Sequence, residues 1–291
     1  MNHRRRIFLA DAALLGVTAI WGVTFVVVKR ALDDATPLLF NAVRLSLAAV
    51  LLAAFYRPRW RQLQSGMWLA SGALGICLAT GYAFQTAGLT LTTPSKSAFI
   101  TGLSVVLVPF LLAIGWRRRL GIAVWAGSAM AAAGLYFLIL AGTAARGGGS
   151  HRGDWLTLAC AFGFALHIAL LGEFAPRWGF RDIAVLQIGF AAVFTWLMMP
   201  VVERPVWHSS PALWMALAVT AVLATAVAFT TQTWAQQFTP ASHTAVVFAA
   251  EPVFAWLAAM WGFHERLQPV QLAGAGLILA AMIVVEYGRA A

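Results

Sequence analysis

The chain has 291 residues, 61% of them hydrophobic and only 10% charged, with a formal net charge of +10. A soluble globular domain carries about 25% charged residues, so a water-soluble globule is excluded and the bilayer is the simpler solvent. The positive charge does not point to nucleic acid, because most arginines stand in short joints between apolar segments.

Ten apolar segments of membrane-crossing length follow one another, at roughly 9–28, 37–56, 67–90, 95–115, 121–141, 154–173, 182–202, 211–235, 242–262 and 269–287. Arg4-Arg5-Arg6 before the first segment mimics a secretory leader, but Asp11 interrupts the start and no small-residue cleavage site follows. The segment therefore reads as an uncleaved first span. Cys77 and Cys160 each lie inside an apolar segment, with neither metal-site spacing nor a disulfide framework. The longest joint, Gly142 to Gly153, is Gly-rich but lacks the Gly-Lys-Ser/Thr ending of a phosphate loop. It reads as a flexible linker.

Tryptophans support these spans. Trp60, Trp68, Trp116, Trp125, Trp155, Trp178, Trp207, Trp214 and Trp261 fall near predicted ends, where an apolar ring and a polar N–H both find company. Trp21, Trp196, Trp234 and Trp256 lie deeper, and Trp21 and Trp234 are candidates for lining a cavity. With the N-terminus placed in the cytoplasm, 12 of the 20 Lys and Arg residues fall on the cytoplasmic side and 7 on the other. This bias puts both termini inside, in a plasma (inner) membrane.

The second half repeats the first. At an offset of 147, Gln85-Thr86 meets Gln232-Thr233, Arg119-Leu120 meets Arg266-Leu267, and Gly127 meets Gly274. Near the start of each half the offset is 143, where Asp11 meets Asp154 and Arg44 meets Gln187. The expected architecture is all-α: a five-helix unit over 1–141, a linker over 142–153 and a second five-helix unit over 154–291. Because five is odd, the second unit enters the membrane inverted. Inverted repeats supply two near-equivalent packings, one open to each side, and so suit alternating access.

Polar residues inside the spans are costly and mark candidate function. Arg44, in the run Asn41-Ala42-Val43-Arg44, needs acceptors, because a guanidinium does not shed its proton. It binds an anionic group of a substrate, pairs with Glu251, or bridges to backbone carbonyls. Asn41 is a candidate contact beside it. Glu251, followed by Pro252, can neutralise itself by taking a proton. It therefore either couples transport to a proton gradient or stabilises a Pro-broken helix. Gln85, Gln187 and Gln232 offer donors and acceptors without charge, for a substrate or for a neighbouring helix. His167 is a lone histidine on an apolar face, which ordinarily means a core residue. Gly127, Gly134, Gly274 and Gly276 give spans five and ten small faces that suit close packing, within the chain or in a homodimer. No His-Glu-x-x-His or Gly-x-Ser-x-Gly motif is present, and an enzyme is not expected. No cofactor is expected either.

Trp21-Gly22, Arg44, Glu251-Pro252, Glu265-Arg266-Leu267 and the run Gln271-Leu272-Ala273-Gly274-Ala275-Gly276-Leu277-Ile278-Leu279 together resemble the EamA family of the drug/metabolite transporter superfamily. The resemblance covers nearly the whole chain as two tandem units. The first unit departs from the pattern, with Trp116-Arg117-Arg118-Arg119 where the family often has Gly-Glu-Arg, and Val105 where the second unit has Pro252. The resemblance implies a central cavity built from spans 1–4 and 6–9 in a secondary exporter of small polar or amphipathic metabolites, amino acids first among them. The alternative is a non-transporting membrane assembly or sensor protein.

Overall fold

The computed structural model describes residues 3–58, 63–143, 151–263 and 269–290. The Glu265-Arg266-Leu267 joint, Trp60, and residues 144–150 of the linker lie outside the described residues. Helices run α1 (His3–Ala31), α2 (Pro37–Tyr56), α3 (Ser65–Leu91), α4 (Pro94–Gly102), α5 (Ser104–Gly115), α6 (Ile122–Thr143), α7 (His151–Phe174), α8 (Phe180–Val202), α9 (Pro211–Ala221), α10 (Ala228–Ala235), α11 (Ala241–Phe248), α12 (Glu251–Phe263) and α13 (Pro269–Ala290). A π-helical turn, Val222–Val227, joins α9 to α10 into one leg. Among the described residues no strand forms; one isolated antiparallel bridge ties Ala35 to Trp207.

Among the described residues nine of the legs are long and apolar enough to cross a bilayer, and the remaining one has a shorter apolar stretch at Ile122–Phe137. Leg starts are set by proline and short polar caps. Pro37, Pro94, Pro211 and Pro269 open helices, where their missing N–H costs nothing. Thr93 Oγ1 accepts from the Lys96 N–H at 3.3 Å, and Ser210 Oγ from the Leu213 N–H at 3.0 Å. The start of α2 is capped from afar. The Glu203 carboxylate accepts from the backbone of Leu38 at 3.1 Å and Leu39 at 2.8 Å, placing a negative charge at the positive end of the helix.

Two legs expected to be single helices are each broken in two. The fourth breaks at Leu103, between α4 and α5, and the ninth at Ala249-Ala250, between α11 and α12. The breaks follow no proline inside the gap. Leu103 keeps right-handed geometry, with φ −61° and ψ −12°, as does Ala249, with φ −62° and ψ −14°. Each break is thus a tightened turn rather than a loop.

Within the bundle, α6 lies along α13 and α2 along α8. Helix α3 packs on α7 and α8, α1 on α9, α10 and α12, α7 on α4 and α5, and the two broken legs meet as α4 on α12 and α5 on α11. The α6–α13 pair is intramolecular and close: a Cβ on Gly134 would stand 2.7 Å from the Gly274 carbonyl oxygen. Helix α1 crosses α12 just as tightly, since a Cβ on Gly22 would stand 2.7 Å from both the Glu251 carbonyl oxygen and the Ala255 nitrogen. That crossing sets the ninth-leg break directly against α1.

Candidate functional site

Several of the polar side chains inside this bundle converge on one place. A cavity of about 70 Å³ lies among α1, α2, α3, the two broken legs, α7 and α10. That volume is several times what a single water needs. Its walls are aromatic and aliphatic: Trp21, Phe25, Tyr82, Phe164, Phe229 and Phe248. Its polar groups are few: Arg44, Gln85, His167, Gln232, Glu251 and the hydroxyls of Thr24, Thr101 and Ser104.

Arg44 projects from α2 and is 3% exposed. Its Nη2 donates to Thr225 Oγ1 at 3.0 Å and its Nε to the same oxygen at 3.3 Å, while the guanidinium stacks 4.4 Å from the centre of the Tyr82 ring. A buried cation on an aromatic face is worth about 2 kcal/mol when desolvated. Thr225 reaches Arg44 from the π-helical turn, whose extra residue per turn widens the helix there. The same turn offers the Ala224 carbonyl, which accepts from Trp21 Nε1 at 2.8 Å, so the Trp21 N–H is spent on the protein and its ring is held as a wall. Among the described residues no carboxylate comes within ion-pair distance of Arg44. The Arg44–Glu251 pair, one of the alternatives from sequence, is therefore not formed.

Glu251 opens α12 directly after the ninth-leg break and is 7% exposed. No hydrogen bond or ion pair reaches its carboxylate among the described residues. Gln232 is better defined. The Ile168 carbonyl, which can only accept, takes the Gln236 Nε2–H at 2.9 Å; Gln236 Oε1 then takes the Gln232 Nε2–H at 3.0 Å. This chain assigns the Gln232 amide orientation and leaves its Oε1 buried with no donor.

Three expected contacts lie off the cavity. Asn41 is fully buried between α2 and α3, where Nδ2 donates to the Tyr82 carbonyl at 3.1 Å and Thr86 Oγ1 at 2.8 Å. Trp234 faces Phe238, with ring centres 5.6 Å apart, in the apolar cluster of α1, α5, α7 and α11. Gln187 sits behind the wall, its Oε1 2.9 Å from His167 Nε2 and its Nε2 donating to Thr233 Oγ1 at 2.9 Å. Trp21, Arg44, Gln85, Gln232 and Glu251 do share the cavity.

Sequence reading passed over Tyr82, Thr101, Ser104, Phe164, Phe229 and Phe248. The repeat offsets contain a signal for them. Of the 17 lining residues, 14 fall into pairs separated by 143 or 147 positions: Trp21 with Phe164, Thr24 with His167, Phe25 with Ile168, Tyr82 with Phe229, Gln85 with Gln232, Thr101 with Phe248, and Ser104 with Glu251. The three without a lining mate, Val28, Arg44 and Leu89, all belong to the first half. Their mates Leu171, Gln187 and Gln236 are buried in packing.

The EamA-like transporter family model matches the chain twice, at residues 8–140 and 151–287. The chain belongs to the EamA-like transporter family. This membrane transporter is 34% identical over 277 residues to a protein of Archaeoglobus fulgidus described as an uncharacterized transporter, a match spanning 95% of this chain and 85% of that one. A solved crystal structure shares the fold of this EamA-like transporter with a TM-score of 0.75 at 21% identity, over 95% of this chain and 96% of the other. Family membership and the apolar helices together make this a multi-pass membrane transporter.

Proposed function

We propose that this EamA-like protein is a secondary transporter that exports small polar or amphipathic metabolites, amino acids first among them, by alternating access between two inverted five-helix units. The observation that carries the substrate reading is the cavity's unmet polar inventory. Among the described residues Arg44 is a buried cation with no anion and Gln232 Oε1 a buried acceptor with no donor, and aromatic walls stand around them. A molecule with an acidic group, an N–H donor and a modest apolar body completes that set.

The mirrored plan is supported by element bounds as well as by lining pairs. Helices α4, α5, α6 open at Pro94, Ser104 and Ile122, and α11, α12, α13 open 147 positions later at Ala241, Glu251 and Pro269. Several helix contacts also map onto one another when the halves are exchanged: α3 on α7 becomes α10 on α1, and α4 on α12 maps onto α11 on α5. Exchange of two such packings would open the cavity to alternate sides.

Uphill export without an ATP-binding motif requires an ion gradient. Glu251, the acid in the lining and one with no hydrogen bond or ion pair among the described residues, is the proposed proton carrier. The protein is placed in the plasma membrane with both termini in the cytoplasm. Flux of labelled amino acids in proteoliposomes, with and without an imposed pH gradient, tests the reading. Saturable uptake accelerated by the gradient is expected; no saturable flux of any amino acid would overturn it.

A further inference from the structure

His167 is a cavity residue that the sequence ranked as an ordinary core histidine, and the structure holds it by a chain of assigned hydrogen bonds. Thr233 spends its hydroxyl proton on the Phe229 carbonyl at 2.6 Å. Its oxygen therefore accepts from Gln187 Nε2 at 2.9 Å, which turns Gln187 Oε1 towards His167 Nε2, 2.9 Å away. An amide oxygen can only accept, so His167 carries its proton on Nε2. In the neutral ring Nδ1 is then an acceptor, and no group of the described residues donates to it. The ring is further pinned edge-on to Phe229 at 5.7 Å.

A second, independent chain ends beside the first. Gln232 is tied through Gln236 to the carbonyl of Ile168, the residue next to His167, and it presents an unpartnered, buried Oε1. His167 on α7 and Gln232 on α10 thus both line, with fixed orientations, the cavity whose cation, Arg44, stands on α2. Leaving a buried acceptor unpaired costs about 1–3 kcal/mol. The Gln232 Oε1 vacancy, held by its own relay in a cavity that the tautomer-fixed His167 also lines, describes a binding subsite better than a packed core.

We propose that His167 Nδ1 and Gln232 Oε1 form the subsite for a primary ammonium on the transported molecule, and that Gln187 and Thr233 are positioning residues that fix the histidine tautomer. The inference rests on the amino-acid reading above and adds which residues receive the amine. An ammonium has three donors and no acceptor, so it satisfies both oxygen and ring nitrogen; a carboxylate satisfies neither. Thr24, the repeat partner of His167, and Gln85, the partner of Gln232, line the same cavity from the other half.

The test uses the full chain in proteoliposomes with labelled leucine as the carried molecule. Two competitors separate its ends: isoamylamine, which keeps the amine, and 4-methylpentanoate, which keeps the acid. Competition by isoamylamine is expected to weaken about ten-fold in His167→Leu and in Gln232→Leu, with 4-methylpentanoate unaffected. Arg44→Gln is expected to give the reverse pattern. Gln232→Glu, which retains an acceptor oxygen, keeps isoamylamine competition and controls for misfolding. Gln187→Met is expected to raise the leucine KM through the amine end alone. Unchanged isoamylamine competition in both His167→Leu and Gln232→Leu, with leucine still carried, overturns the subsite and leaves the amino-acid reading standing. Absence of saturable leucine uptake by the unaltered protein overturns that reading, and the subsite with it.

Discussion

Ser104 and Glu251 occupy the same place in the two broken legs. Each is the first residue after its break, 147 positions apart, and each lines the cavity. One half therefore presents a hydroxyl where the other presents an acid. If the acid carries the coupling proton, Glu251→Gln keeps the shape and the hydrogen bonding but removes the titration. Flux in proteoliposomes should then be the same with and without a pH gradient, while leucine exchange at equal pH on both sides persists. A gradient response retained by the variant would move the coupling elsewhere.

Arg44 has no counter-anion among the described residues, so its removal strands no carboxylate there. Arg44→Leu should fold and should lose affinity for acid-bearing molecules by about ten- to a hundred-fold, the range of hydrogen bonds to charged groups. Arg44→Lys should recover only part of the loss, since an ammonium neither forks nor stacks on Tyr82 as a guanidinium does. The KM for uptake against that for the decarboxylated analogue is the measurement.

Asn41 should behave differently from Arg44 despite being one helical turn away. Its two hydrogen bonds hold α2 to α3 and it does not reach the cavity. Asn41→Leu should lower the melting temperature, with a cost of about 1–3 kcal/mol for the abandoned Thr86 and Tyr82 groups. The substrate KM should stay within about two-fold, a margin set by ordinary coupling between distant sites.

Close helix crossings give a signed comparison. Gly22→Ala and Gly134→Ala each place a Cβ 2.7 Å from a backbone oxygen and should destabilise by about 1–3 kcal/mol. Gly189→Ala, with nothing within 4 Å of the new Cβ, should leave melting unchanged or raise it through helix propensity. Thermal melts of the three purified variants decide it.

Val28 and Leu89 line the cavity within the last turn of α1 and α3, at the end of the bundle away from the N-terminus, whereas their repeat mates Leu171 and Gln236 do not line it. A membrane-impermeant thiol reagent added on the side opposite the termini should label Val28→Cys and Leu89→Cys. Leu171→Cys and Gln236→Cys should label only from the terminal side, and only once the transporter has switched packing. Labelling of all four from one side would contradict two mirrored packings.

The all-helical plan and the order of its apolar legs were legible because bilayer thickness and the cost of bare backbone in lipid leave a chain few ways to be apolar. Glu251, Arg44, Gln85 and Gln232 were legible for the same reason: a polar group is conspicuous where the solvent is hydrocarbon. Tyr82, Phe229, Phe248 and His167 were not, because aromatic rings and a lone imidazole are equally at home in a packed core, and only their shared cavity distinguishes them. Gln187 and the Asn41 amide nitrogen show the converse, polar groups bonded to Thr233 and Thr86 across a helix contact that no spacing along the chain reveals. Which side of a helix faces the cavity, and which amide has already found its partner, are settled by rotation and approach of whole helices, and those are decided only when the bundle closes.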